Sequence, residues 1–311
     1  MSKPHVMPSH QADLQALEQR IKILLPEQYQ NSYDDVQPTS MSSAALKFAP
    51  DGKVAWDEIW GSFCDLAMAG GPPHKGMLLL PSSQSEREAQ PNRYEEVVAE
   101  ICRGIQLVAD LTAEPSSTPG WIRVECVNRA TAEWLLRAIT VENVAVRRTN
   151  LDLELPAAPH FRLEKEIKNV ITVVAKTAHY WFGHIYRDQR AQIRDLFTQM
   201  EQESPLLQPA YDPNVAPHEN ESAKSKLAAQ IAGSTGLRAS SHQYKDWLGL
   251  ELPTTHSAIW LMRALVATNV LSRREDKTLF VPIDLHHDPG GQKTTQALTR
   301  LHKLATLRTI L

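Results

Sequence analysis

A loop rich in glycine and proline, GGPPHKG at residues 70–76, contains the first residues whose types and spacing could do chemistry. Gly70 and Gly71 would let the backbone bend sharply and expose its N–H groups, and His74 and Lys75 would add donors and positive charge. Such a loop could hold a phosphate or a carboxylate. A helix C-cap followed by a rigid turn would explain the same residues without any ligand. The spacing matches neither a P-loop nor a dinucleotide-binding fingerprint.

A second set of polar residues lies on one face of the helix predicted over residues 162–183. Its basic members are Lys165, Lys168, Lys176 and His179. Residues at these spacings share a helix face, so the stripe could line a cleft for an anion. A solvated helix face is the alternative explanation. The helix predicted near the end of the chain, over residues 293–310, lacks the stripe, so we expect any site to lie in the earlier part of the sequence.

The third candidate set consists of two pairs of adjacent arginines, Arg147 with Arg148 and Arg273 with Arg274. Adjacent residues of a strand point to opposite faces of a sheet, so one arginine of each pair would face inward. A guanidinium suits the recognition of a carboxylate or phosphate, which makes Arg147 and Arg148 candidate ligand-binding residues. The structural alternative is an ion pair with Glu125, which lies on a predicted neighbouring strand.

Histidine is the side chain best suited to proton transfer near neutral pH, and His74 and His179 are the candidates for a catalytic role. We expect no metal site, because His179 and His184 would lie about 140° apart on an α-helix and no residues show the spacing of a zinc site. Cys64 and Cys126 lie in apolar segments, where a buried and inert thiol is more common than a nucleophile. The sequence indicates no cofactor.

Comparison of the chain with itself reveals the elements that would position these residues. Residues 121–160 align with residues 247–286 without a gap, and 14 of the 40 columns are identical. About two or three identities are expected by chance from typical residue usage. The matches include the pair Trp121 and Trp247, and tryptophan is rare. We interpret the alignment as an internal duplication.

Each copy predicts a strand, a helix and a β-hairpin, followed by a long helix. In the first copy, residues 121–127 alternate apolar and polar side chains, as a half-buried strand does. Asn128 suits the N-cap of the next helix, and Asn143 suits its left-handed end. A hairpin turn is expected at Asn150, and Pro156 should end the second strand of that hairpin.

The predicted fold class is α/β, with mixed α+β character. It consists of two pseudo-symmetric halves, each a β-α-β-β-α unit whose small mixed sheet is flanked by helices. The predicted domains are an N-terminal segment with a short docking helix at 1–55, a first repeat at 56–184 and a second repeat at 185–311. Four prolines predict an extended connector over 204–222, and residues 77–80 predict a further strand.

Composition limits the functional classes. The chain has 311 residues, a net charge of −3 and 22% charged residues, values typical of soluble globular proteins. The slightly acidic balance argues against nucleic acid as a partner, and no stretch is long and apolar enough to span a membrane. Three cysteines without a close pair favour a reducing compartment, and the N-terminal sequence lacks the apolar core of a signal peptide. The expected location is therefore the cytoplasm.

The sequence favours a soluble cytosolic protein that binds a small anionic molecule, a phosphate or carboxylate, in a cleft between its two units. Whether it is also an enzyme stays open. The alternative is a non-catalytic scaffold or protein–protein interaction protein, because exposed aromatic side chains serve as anchors at interfaces. The aromatic candidates for such a surface are Trp56, Trp60, Tyr180, Trp181 and Phe182. Fold alone does not choose between these functions.

Overall fold

A computed structural model describes residues 8–31, 45–60 and 63–311. The chain divides into two compact units: the central unit is residues 32–190, and the terminal unit combines residues 1–31 with residues 191–311. The N-terminal segment that the sequence places at 1–55 is thus shared between the two units. Parts of that segment, residues 1–7 and 32–44, lie outside the described residues.

Helices and the strands of two small sheets are the main regular elements of the described residues. The helices are α1 (Pro8–Leu24), α2 (Glu27–Gln30), α3 (Gln84–Ala89), α4 (Pro91–Ala109), α5 (Arg129–Val141), α6 (Lys168–His179), α7 (Arg187–Glu203), α8 (Pro217–Thr235), α9 (Thr255–Val266) and α10 (Gln292–Leu307). The strands are β1 (Ala113–Pro115), β2 (Trp121–Val124), β3 (Arg147–Thr149), β4 (Asp152–Pro156), β5 (Arg238–Ala239), β6 (Trp247–Glu251), β7 (Arg273–Glu275) and β8 (Thr278–Pro282). Among the helices described, none is both long and apolar enough to cross a membrane.

Each unit contains one four-stranded sheet whose strands pair antiparallel. The strand order is β1-β2-β4-β3 in the central unit and β5-β6-β8-β7 in the terminal unit. The prediction of mixed sheets is therefore wrong. The segment at 77–80 forms no strand, since it pairs through a single parallel bridge between Leu79 and Val144, and a similar bridge joins Leu207 to Val270.

In the central unit, the residues predicted to cap helices, form turns and end strands do so. Asn128 caps α5, because its side chain accepts a hydrogen bond from the Thr131 N–H at 2.9 Å. Asn143 has φ of 65° just after α5, and Asn150 has φ of 58° in the hairpin turn. Asparagine tolerates this left-handed backbone better than most residues. Strand β4 ends at Pro156, as expected for a residue that cannot donate to a ladder.

The terminal unit has the same kinds of helix cap, left-handed residue and strand end. Thr254 caps α9 by accepting a hydrogen bond from the Ser257 N–H at 3.0 Å. Asn269 has φ of 66° after that helix, and Asp276 has φ of 49° in the following hairpin turn. Strand β8 ends at Pro282. The features predicted at Asn128, Asn143, Asn150 and Pro156 thus have counterparts at the aligned positions of the terminal unit.

Arg147 of β3 contacts side chains of its own sheet. The guanidinium carbon of Arg147 lies 4.5 Å from the centre of the Trp121 ring, and its Nε lies 2.5 Å from the Glu154 carboxylate. Glu154 is the residue opposite Arg147 in the hairpin register. The predicted partner Glu125 instead lies 3.2 Å from Arg123. That pairing prediction is wrong because the hairpin supplies a carboxylate directly across from the arginine.

The connector predicted over 204–222 is extended only in part. Helix α8 begins at Pro217, since proline has the backbone angle of a first helical residue and needs no N–H there. Earlier in the connector, Leu207 exchanges backbone hydrogen bonds with the segment that follows α9. Proline spacing alone therefore overestimated the length of the extended segment.

The core of the central unit lies where α4, α5 and α6 pack together beside the sheet. Trp134 of α5 and Ile105 of α4 are fully buried. Trp181 is also buried and donates its indole N–H to the Thr131 hydroxyl at 3.0 Å. This packing places the middle of α6 beside the C-terminal end of α5, where the candidate site forms.

The long helix predicted over 162–183 has two irregular ends. A π-helical turn over Leu163–Ile167 precedes α6, and another over Tyr180–His184 follows it. A π turn closes hydrogen bonds over five residues instead of four, so side chains beyond it change their position around the helix. The face predicted with regular α-helical spacing therefore applies only within α6.

Candidate functional site

A buried carboxylate, Glu142 at the end of α5, is the centre of a polar cluster in the central unit. Its Oε1 accepts a hydrogen bond from the Ala67 N–H at 2.9 Å, and its Oε2 accepts one from the His74 N–H at 2.8 Å. The Lys176 Nζ lies 2.9 Å from Oε1. Backbone N–H groups and an ammonium thus surround a negative charge that belongs to the protein itself.

The glycine loop is folded against this carboxylate. Gly70 has φ of 106° and donates its N–H to the Ala67 carbonyl at 3.0 Å, and Gly71 donates to the Leu66 carbonyl at 3.0 Å. A Cβ on Gly71 would lie 2.4 Å from the Asp65 carbonyl oxygen, so the close approach of the two chain segments requires glycine there. The N–H groups predicted to bind an anion are bonded within the protein.

Lys176 connects the carboxylate to a cysteine. Its side chain is fully buried in α6, and its Nζ lies 3.2 Å from the Sγ of Cys64. Burial alone would lower the pKa of this ammonium, but the Glu142 carboxylate and the Cys64 sulfur outweigh burial and raise the pKa. Lys176 therefore carries its positive charge between a carboxylate and a thiol.

Cys64 differs from the other two cysteines in its surroundings. It is half-buried, whereas Cys102 and Cys126 are buried. Burial raises the pKa of the Cys102 and Cys126 thiols to about 12, which keeps both in the unreactive thiol form. A cation next to a cysteine favours the thiolate, the nucleophilic form. Only Cys64 of the three has an ammonium shown in contact with its sulfur.

His74 forms the edge of the cluster. Its Nε2 lies 3.0 Å from the Oδ1 of Asn169 on α6. Burial is the main cause that lowers the pKa of His74 to about 4; the nearby Lys176 and Lys75 act in the same direction, and Glu142 and the hydrogen bond to Asn169 oppose them. The ring is therefore neutral at pH 7. It donates from Nε2 to Asn169, which leaves Nδ1 without a proton and able to accept one.

Aromatic rings lie next to the thiol along the chain. The ring of Phe63 lies 5.8 Å from that of Trp60 and 5.3 Å from that of His179. Phe63 and Trp60 are half-buried, and His179 is exposed. The residue before the thiol thus contacts the outer end of α6, the helix that carries Lys176.

The structure brings two of the predicted site residues, His74 and Lys176, into one cluster. Lys165 is exposed, while Lys168 is buried, and burial lowers the pKa of its ammonium. Arg148 donates to the Asn150 carbonyl at 2.8 Å, and with Arg147 it forms part of the hairpin. A role for these last four residues in ligand binding stays a prediction.

Sequence reasoning missed two members of the cluster, Cys64 and Glu142, whereas Asn169 belongs to the polar stripe predicted on the helix over 162–183. The apolar segment around Cys64 predicts an inert thiol. Its partner Lys176 is 112 residues away, and no local pattern connects the two. Glu142 did leave a signal, since the aligned segment 247–286 has Thr268 at the matching position.

The aromatic residues predicted for an interaction surface lie mostly in the core. Trp56, Tyr180 and Trp181 are buried, whereas Phe182 is 41% exposed. Trp60 is half-buried. A protein-binding surface built on Phe182 and Trp60 stays a prediction, with fewer aromatic anchors than the sequence indicated.

The cluster consists of an ammonium in contact with both a cysteine sulfur and a carboxylate, with a neutral imidazole at its edge. Within the described ranges, no group of three or more His, Cys, Asp or Glu side chains could hold a metal ion. No protein-family model, curated protein or solved structure matches the chain. The candidate site therefore has to be interpreted from its own geometry.

Proposed function

We propose that this protein is a thiol-dependent enzyme in which Cys64 attacks a small, negatively charged electrophile. The observation that carries the proposal is the 3.2 Å contact between the Sγ of Cys64 and the Nζ of Lys176. An adjacent cation stabilises a thiolate and so increases the fraction of the nucleophilic form. Glu142 supports this arrangement, because its carboxylate keeps the buried ammonium charged.

The reaction class that fits is acyl transfer. The thiol proton leaves to solvent, and an electron pair of the thiolate sulfur forms a bond to a carbonyl carbon while the C=O π pair moves to oxygen. Re-formation of the C=O bond expels the leaving group with its electron pair. The leaving group then takes a proton from water. Attack of water on the resulting thioester releases the acid and restores the thiol.

A negative charge on the substrate is supported by the lysines around the His74–Asn169 contact. Lys75 follows His74 directly, and Lys165 lies in the π-helical turn just before α6, the helix that carries Asn169. Lys75 is half-buried and Lys165 is exposed, so both can meet a ligand that approaches from solvent. A carboxylate or phosphate would complement them. The anion site that the sequence predicts between the two units stays a separate prediction.

Alkylation of the three cysteines tests the nucleophile. The purified protein is treated at pH 7 with iodoacetamide, and the modified peptides are quantified by mass spectrometry over time. We expect Cys64 to react at least about tenfold faster than Cys102 and Cys126, which serve as controls within the same molecule. The double variant Glu142→Gln/Lys176→Met removes the ammonium and should slow Cys64 by about tenfold. Equal rates for the three cysteines, or an unchanged rate in a folded double variant, would contradict the proposal.

The charge of the substrate is tested with a matched pair of reagents. Iodoacetate carries a carboxylate, whereas iodoacetamide of the same size is neutral. We expect Lys75→Met/Lys165→Met to slow the reaction of Cys64 with iodoacetate and to leave the reaction with iodoacetamide unchanged. An equal effect on both reagents would contradict the anionic substrate while leaving the nucleophile intact.

We also propose that the two sheets descend from one duplicated module that holds the site residues in its first copy. The common strand order supports this, as do the equal positions of Asn143 and Asn269. Each asparagine donates its side-chain amide to a backbone carbonyl at 2.8 Å, that of Lys75 or of Ser204. Dissimilar backbones at 121–160 and 247–286 in an experimentally determined structure would contradict a common origin.

A further inference from the structure

Two histidines at the outer end of α6 approach each other with the Nε2 atoms of their rings. The Nε2 atoms of His179 and His184 lie 3.0 Å apart, with the ring planes at 65°. His179 is exposed and His184 is half-buried. From this geometry we infer that the two rings form a binding site for a divalent transition metal, preferentially Cu²⁺ or Ni²⁺.

The π turn at Tyr180–His184 explains how residues five positions apart come together. On a regular α-helix they would lie about 140° apart. Hydrogen bonds over five residues reduce the rotation per residue, so the same step leaves them only about 50° apart. Single π turns inside helices occur frequently at functional sites. The irregular helix end is thus what creates the pair.

The distance between the two nitrogen atoms fits one metal ion. Imidazole nitrogen binds such metals at about 2.0–2.1 Å. Two ligands at right angles are then about 2.9 Å apart, and two at the tetrahedral angle are about 3.4 Å apart. The observed 3.0 Å corresponds to neighbouring positions of a square-planar or octahedral centre, which Cu²⁺ and Ni²⁺ prefer.

Neighbouring rings hold the pair in this orientation. The Tyr180 ring lies 5.7 Å from that of His179 and 5.3 Å from that of His184. Phe63 also contacts His179, with ring centres 5.3 Å apart. Ligands whose rings are already fixed lose less freedom when a metal binds.

The site would have open coordination positions. In the part of the chain that the structure describes, His179 and His184 belong to no group of three potential ligands. Water or a small anionic molecule would therefore complete the coordination. The alternative occupant of the gap is a proton, since one ring could simply donate an N–H to the other at the same distance.

Metal titration distinguishes a metal site from a hydrogen bond between the two rings. The full-length protein is freed of metal and titrated with CuCl₂, NiCl₂ and ZnCl₂ by isothermal titration calorimetry. We expect His179→Ala and His184→Ala each to bind one equivalent of Cu²⁺ fewer than the parent, with affinity in the order Cu²⁺ above Ni²⁺ and Zn²⁺. His160→Ala, which removes another exposed histidine, should bind as the parent does.

Two further measurements assign the ligands. Electron paramagnetic resonance of the Cu²⁺ complex should show two nitrogen ligands in the parent and fewer in His179→Ala. Cys64→Ser should keep the metal, because the site uses no sulfur, so this result is independent of the proposed thiol chemistry. Parent-like stoichiometry in both His179→Ala and His184→Ala would overturn the inference and leave the pair as a hydrogen bond.

Discussion

Glu142 and Lys176 form an ion pair of 2.9 Å in which neither side chain has any exposed surface. Removing two charges from water costs several kcal/mol each, and their attraction offsets this only when the remaining polar groups are also satisfied. Here the carboxylate accepts two backbone N–H groups, from Ala67 and His74. The pair therefore fixes the position of the loop at 70–76 relative to α6 and so determines the geometry around Cys64.

Removal of one partner should destabilise the protein more than removal of both. We expect Lys176→Met to lower the free energy of unfolding by about 3–5 kcal/mol, because it leaves a carboxylate buried without its cation. Glu142→Gln/Lys176→Met should lose less than Lys176→Met alone, since it leaves no unpaired buried charge and its amide oxygen still accepts one of the two backbone N–H groups. Urea denaturation followed by circular dichroism measures both. A double variant that is as unstable as the sum of the two single variants would argue against coupling of these charges.

His74 should make stability depend on pH between about 4 and 6.5. Burial lowers its pKa to about 4 in the folded protein, from 6.5 in the unfolded chain. In this interval the unfolded state binds the proton more tightly, so stability falls as the pH falls, by at most about 3 kcal/mol. Above pH 6.5 the ring is neutral in both states, and its contribution is constant.

The variant His74→Gln isolates this effect. Glutamine has no titrating group and keeps an amide that can reach Asn169. We expect the slope of stability against pH, from urea denaturation at several pH values, to be smaller in His74→Gln than in the parent. Burial also lowers the pKa of His179 and of His302, so part of the slope should remain. An identical slope in the two proteins would show that His74 is protonated equally in the folded and unfolded states.

The parts of the fold that could be predicted are those determined by neighbours in sequence. Asn128 caps a helix because its oxygen reaches an N–H three residues later, and Asn143 takes a left-handed backbone that few other residues tolerate. Such preferences are contained in a short segment. The two hairpins and the strand before each helix were predicted for the same reason, whereas the edge strands β1 and β5 were not predicted.

The candidate site depends on contacts that no short segment contains. Glu142 meets Ala67 across 75 residues and Cys64 meets Lys176 across 112. The apolar surroundings of Cys64 predict an inert thiol, and the ammonium that contacts its sulfur lies on a helix far away in the sequence. The pairing of His179 with His184 required a π turn, and regular helical spacing placed those residues on different faces.

Gly71 should be essential for the geometry around Cys64. A Cβ at this position would meet the Asp65 carbonyl oxygen at 2.4 Å, too close for any real contact, so Gly71→Ala must push the backbone next to Cys64 away. We expect a loss of about 1–3 kcal/mol in the free energy of unfolding, as for other overpacked sites. Iodoacetamide should also modify Cys64 at a different rate, because the sulfur shifts relative to the Lys176 ammonium.

Gly76→Ala is the matched control, because it makes the same change in the same loop at a position where a Cβ would have nothing within 4 Å. We expect its unfolding free energy and its Cys64 alkylation rate to stay close to those of the parent. Chemical denaturation and peptide mass spectrometry on the three proteins separate crowding from a general sensitivity of the loop to alanine. If the two variants behaved alike, the close packing of Gly71 on Asp65 would not be what positions the thiol.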